Sequence, residues 1–95
     1  MACINDIQYE ILLSGATLGE CEKFIRKNCD EVYHVNGGYK ICNVPLMGSK
    51  PIPIGVKGST MLFVFTKPCF GLFVLKIKDA NAEIEHLRSS AKKLI

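Results

Sequence analysis

The hairpin Ser59 to Lys78 constrains this chain more than any other segment. Two runs rich in β-branched and aromatic residues, Thr60 to Thr66 and Leu72 to Lys78, flank the turn Lys67-Pro68-Cys69-Phe70-Gly71. Period-two patterning predicts two strands, and the turn chemistry joins them: Pro68 fits the second turn position and Gly71 can take positive φ at the exit. Both faces of the hairpin are apolar. Met61, Phe63 and Phe65, with Phe73, Leu75 and Ile77, line one face, while Leu62, Val64, Leu72 and Val74 point to the other. An antiparallel sheet with one solvated face would alternate apolar and polar residues. This hairpin therefore needs cover on both sides.

The flanking sequence supplies candidate covers. Asp6 to Leu13 alternates, with Ile7, Tyr9, Ile11 and Leu13 on one side, which predicts a half-buried strand. Thr17-Leu18-Gly19-Glu20 has the form of a capping box, and Leu18, Cys21, Phe24, Ile25 and Cys29 then form one stripe, which predicts a helix over Leu18 to Asn28. Glu22 and Arg26 stand four apart on its outer face. Val32 to Val35 and Tyr39 to Val44, around Asn36-Gly37-Gly38, read as a hairpin in which His34 and Lys40 share one side. Pro45 to Gly58 reads as irregular. Ile52, Ile54 and Val56 alternate within it, but Pro51 and Pro53 argue for an edge rather than a central strand. Asp79 to Ile95 reads as a closing helix capped by Asp79 or Asn81, with Ile84, Leu87, Ala91 and Leu94 buried.

The order β-α-β-β-(β)-β-β-α over residues 1–95 predicts one domain of the α+β class: a mainly antiparallel five- to six-stranded sheet with two helices packed on one face. That arrangement leaves Leu62, Val64, Leu72 and Val74 to be covered by the Pro45–Gly58 segment or by another chain. These four, with Ile52 and Ile54 beside them, are the candidate interface.

Composition excludes several chemistries. The net charge of +3 is dispersed, with no run of like charge longer than two, unlike the dense basic stripe of a nucleic-acid binder. The longest apolar run, Met61 to Phe65, is too short to span a membrane, and the first residues lack the basic and apolar regions of a signal peptide. Five cysteines, an odd number with no C-x-x-C spacing, read as free thiols in a cytoplasmic protein. Cys21 and Cys29 lie two helical turns apart, too far to share a tetrahedral metal, and the acid clusters Asp30-Glu31 and Asp79/Glu83/Glu85 read as helix ends. Cys69 sits in a turn with no histidine brought beside it by the sequence. Gly48-Ser49-Lys50 and Gly55-Val56-Lys57-Gly58-Ser59-Thr60 hold phosphate-cradle residue types, but in the wrong order and before a strand. Lys50 and Lys57 remain as candidate anion contacts. No cofactor, metal or catalytic residue is predicted.

The block Thr66-Lys67-Pro68-Cys69-Phe70-Gly71-Leu72-Phe73-Val74-Leu75-Lys76-Ile77, with the elements around it, resembles a small family of uncharacterised proteins, a domain of unknown function, from methanogenic archaea. The resemblance implies a compact fold of several strands with a few helices and a link to methanogenesis, and it carries no catalytic residue onto this chain. The expectation is thus an accessory module acting through a protein partner or as a homo-oligomer, with no nucleic-acid or membrane contact. The alternative is a protein that binds a small molecule, anion or divalent cation through the 45–58 loop.

Overall fold

The structure, a computed structural model, describes residues 2–4, 7–67 and 71–93. In chain order the elements are β1 (Ala2–Ile4), β2 (Ile7–Ala16), α1 (Leu18–Asn28), β3 (Glu31–Val35), β4 (Lys40–Ile41), β5 (Val44–Pro45), β6 (Ile52–Lys57), β7 (Thr60–Lys67), β8 (Gly71–Ile77), α2 (Asn81–Ser90) and β9 (Lys92–Lys93). Among the described residues seven strands form one sheet in the order β1-β2-β8-β7-β6-β3-β9, every pairing antiparallel, and β4 and β5 pair separately. The α+β class, the antiparallel sheet and the two helices are as expected.

The central hairpin pairs Met61 with Ile77, Phe63 with Leu75 and Phe65 with Phe73 on one face, and Leu62 with Lys76, Val64 with Val74 and Thr66 with Leu72 on the other. Gly71 takes φ +85°. Residues 68–70, which hold the expected proline position and Cys69, lie outside the described residues. The capping box also forms: the Glu20 amide donates to the Thr17 hydroxyl at 3.2 Å, and the Thr17 amide donates to the Glu20 carboxylate at 3.2 Å. Cys21 and Ile25 are buried, and Leu18, Phe24 and Cys29 pack around them.

The placement of the helices differs from the expectation, and this decides the fate of the second face. Gly55 lies under α1. A Cβ added there would come within 2.5 Å of Ile25 Cγ2 and 2.9 Å of Cys29 Cβ. Gly55 pairs with Val32 and Leu62, so α1 covers the Leu62–Val64–Val74 face. The other helix is tied to the opposite face. Arg88 of α2 donates to Glu31 at 2.6 Å, and Tyr33, on the same face as Glu31, donates its hydroxyl to Glu31 at 2.6 Å. α2 and the β4–β5 hairpin therefore lie over the Tyr33–Ile54–Phe63 side, with Ile41, Leu46, Ile84 and Leu87 buried. The sheet is sandwiched.

Four further expectations are corrected. β3 does not pair with the segment after Gly38. It pairs with β6, and the chain turns at Asn36–Tyr39 into its own small hairpin, closed by Cys42 (φ 52°) and Asn43 (φ 67°), the paired positive φ of a two-residue hairpin turn. β6 is a central strand, not an edge. It tolerates Pro53 because the β7 ladder begins one residue later, at Ile54 opposite Phe63. In β2 the register shifts between Ile11 and Leu13, so the alternation breaks and Ile11 is 52% exposed. The closing helix ends at Ser90, where the Ser89 and Ser90 hydroxyls both donate to the His86 carbonyl, and Lys92–Lys93 then joins β3 as a strand. Its N-cap is Ala80, with no side-chain cap, and Leu94 lies outside the described residues.

Candidate functional site

The predicted interface is mostly interior. Leu62 and Val64 are 4% exposed and Val74 0%, all beneath α1, while Ile52 and Ile54 are buried in β6. Only Leu72 is half-buried. The chain's own helix provides the cover that the sequence left open, because Gly55 lets α1 approach the sheet closely. These side chains are not a free contact surface.

A remnant of that face stays open. Where α1 begins, the outer end of β7–β8 and the 47–50 segment leave a groove of about 290 Å³ lined by Leu18, Met47, Lys50, Val64, Thr66 and Leu72 among others. Thr66 donates to the Met47 carbonyl at 3.3 Å, holding the segment against the strand. Met47 is 67% exposed at the lip. The candidate anion contacts do not converge. Lys50 lies at this groove, whereas Lys57 ends β6 at the far side of the sheet, about 20 Å away along an extended strand.

A second concavity, about 570 Å³, lies where β3 runs into the 36–39 turn and α2 ends. His34 and Tyr39 line it, with Ser90 between the two elements. Glu22 of α1 meets His34 Nε2 at 2.6 Å. Glu22 also pairs with Arg26, as the helix spacing predicted, at 3.7 Å. Tyr39 stacks on His86 with ring centroids 5.8 Å apart and planes at 26°. Its hydroxyl is shut off from solvent and, among the described residues, has no hydrogen-bond partner. Burying such a hydroxyl unmet costs about 1–3 kcal/mol. Burial pushes its pKa up, Ser90 beside it pulls it down, and Glu83 pushes it up.

Nothing in the local pattern points to the His34–Glu22 pair. Glu22 reads as an outer-face partner of Arg26, and His34 reads as sharing one side of a hairpin with Lys40. Only the strand order, which sets β3 at the side of the sheet that α1 crosses, brings the two together. Tyr39 and His86 likewise meet only because the β4–β5 hairpin folds over α2, where the Cys42 amide donates to Glu83 at 3.2 Å.

The described thiols are poor nucleophiles. Burial raises Cys21, with Glu20 adding to it; burial and Glu83 raise Cys42. Cys29 is pushed up to about 11 by burial and Asp30, with Lys57 opposing. Cys21 and Cys29 are free thiols. The described residues hold no group of three or more His, Cys, Asp or Glu placed to hold a metal, and no helix among them is long and apolar enough to cross a membrane.

An antiparallel sheet held between one helix on each face, with two side clefts and no metal cluster among its described residues, defines a small α+β domain rather than a recognised catalytic framework. The chain belongs to the family described as Domain of unknown function (DUF1894), which matches residues 1–88. It is 42% identical over 78 residues to the uncharacterized protein MJ0453 of Methanocaldococcus jannaschii, a methanogenic archaeon, covering 81% of this chain and 72% of that protein. No solved structure matches it. The resemblance carried by the Thr66–Ile77 block thus led to the right family.

Proposed function

We propose that this chain is a cytoplasmic accessory module of methanogenic cells that works by binding another protein, and that its contact site is the groove at Met47. The observation carrying this reading is the 67% exposure of Met47 beside an apolar floor that includes Val64 and Leu72. A flexible thioether at the lip of an open groove suits an adaptable contact. The volume fits one or two apolar side chains of a partner segment, and Lys50 at the rim favours a carboxylate flanking them. The kinship with a methanogen protein and the free thiols of Cys21 and Cys29 support the compartment.

The test replaces Met47 with a photo-crosslinking residue, identifies the captured protein and reconstitutes the complex from purified components. Met47→Asp and Lys50→Glu should each weaken that complex about tenfold or more, with unchanged melting temperature. If the captured protein is a second copy, light scattering should show a dimer that Met47→Asp disperses. A strict monomer whose reconstituted partner binds Met47→Asp as tightly as the parent would refute the proposal.

A further inference from the structure

Two large apolar side chains are exposed among the described residues, Met47 and Ile11, and Ile11 has no part in the groove. Ile11 stands on β2, whose outer edge is only partly occupied. β1 pairs with residues 7–9 and α1 begins at Leu18. Between them, Glu10 to Ala16 pairs with β8 on one side and, among the described residues, with no strand on the other. An open edge offers a row of backbone donors and acceptors to another strand, and sheets usually guard it with Lys or Pro. The opposite end of this sheet follows that rule, since its last strand is Lys92–Lys93. The stretch Glu10-Ile11-Leu12-Leu13-Ser14-Gly15-Ala16 has neither, and its one charge stands at its end.

What fits this edge is set by its two bulges. The register with β8 skips at Leu12 and at Gly15. Glu10, Leu13 and Ala16 therefore lie across from Lys76, Val74 and Leu72 on the α1 side of the sheet, while Ile11 and Ser14 lie across from Leu75 and Phe73 on the α2 side. Bulges spoil pairing with a straight strand. A partner strand must bend at matching places, and a second copy of β2 does. Turned antiparallel with Leu13 opposite Leu13, it sets Glu10 against Ala16, both on the α1 side, and the bulge at Ile11–Leu12 against the bulge at Ser14–Gly15. The same register fits the ends of the window, because the copy leaves the sheet after Ala16, where β1 takes up the edge at Tyr9. The two Glu10 positions then stand about 20 Å apart. Ile11, 52% exposed, comes to lie opposite Gly15 of the second copy, which has no side chain and open space where one would be. We infer that the chain forms a two-fold homodimer by antiparallel pairing of its β2 edges about Leu13, which joins the two sheets into one. This goes beyond the protein-binding role at Met47 and uses none of that groove's residues.

Sedimentation of the full chain from about 10 µM to about 1 mM tests the dimer, and isotope-filtered NOE spectra of mixed labelled and unlabelled chain test its register. Sedimentation should pass from monomer towards dimer as concentration rises, and the filtered spectra should show Leu13 against Leu13 and Ile11 against Gly15. Ile11→Lys and Ser14→Lys, both at exposed positions, should each weaken dimerisation about tenfold or more, with an unchanged melting temperature in dilute solution. Met47→Asp should leave this dimer intact, so the failure of either proposal is seen separately from the other. A chain that stays monomeric at about 1 mM overturns the inference. So does a dimer that either folded Lys variant leaves at parental strength, or one whose intermolecular contacts lie away from Glu10 to Ala16.

Discussion

Gly55→Ala tests how tightly α1 is seated on the sheet, on which the cover of the second face depends. The added methyl would sit 2.5 Å from Ile25 Cγ2 and 2.9 Å from Cys29 Cβ, and closer still to Cys29 Sγ. Ordinary carbon contacts lie at about 3.5–4.0 Å, so α1 must lift by about 1 Å or both side chains must leave their rotamers. Ile25 is fully buried and has no space to retreat into. Overpacking of this kind costs about 1–3 kcal/mol, and the crowding places Gly55→Ala at the upper end. Reduced freedom of the unfolded chain offsets about 0.4–1 kcal/mol, since Gly55 is not among the positive-φ glycines. The net loss is about 2 kcal/mol, or about 8–16 °C in melting temperature for a domain of this size. Urea denaturation should show a lower midpoint with an unchanged slope. Cys29→Ala removes the nearest offending atom, so the double variant should recover about 1 kcal/mol relative to additivity. An unchanged or raised midpoint for Gly55→Ala, or strict additivity with Cys29→Ala, would refute the close seating of α1.

Two further outcomes are expected. Thr17→Ala removes one half of the capping box and frees the Glu20 amide at the start of α1, so stability should fall by about 1 kcal/mol in the same urea assay. Cys29 should react slowly with iodoacetamide at pH 8 in the folded chain and quickly in urea. Its folded pKa of about 11 lies above the ordinary 9.0, so its stabilising contribution is complete below about pH 9 and is lost as pH rises through about 11. Cys29→Ala should flatten the fall in urea midpoint across that window.

What the sequence made legible was local. The capping box at Thr17 and Glu20, the stripe through Cys21 and Ile25, and the pairing of the two strands around residues 67–71 all rest on neighbours close in the chain, and they stand in the structure as read. What it hid was long-range. Alternation in Leu62, Val64 and Val74 shows a second apolar face but not which element covers it. Gly55, alone between Ile54 and Val56 in a strand pattern, was the available signal, since a strand glycine marks a close approach of backbone or helix. The turn residues Asn36-Gly37-Gly38 invited a hairpin with the segment that follows. The chain turns there, but β3 finds its partner in β6 because that pairing buries Tyr33 beside Ile54. The His34–Glu22 pair was illegible for the same reason, as twelve residues and an entire sheet width separate the cause from its effect.

The strand order also governs how this protein can come into being on a ribosome. β2 and β3 are separated in the chain only by α1, yet β8, β7 and β6 stand between them in the sheet. Those three strands are synthesised afterwards, and β8, which joins β2 to the rest, comes last of them. Between the appearance of Val35 and that of Ile77, β2 has only β1 beside it, β3 has no partner until β6 has emerged, and α1 lacks the strands it packs on. At about 5–20 residues per second that interval is about 2–8 s. Assembly therefore waits for the middle of the sheet to arrive, and during that wait the apolar edges of β2 and β3 are the surfaces a chaperone would have to shield.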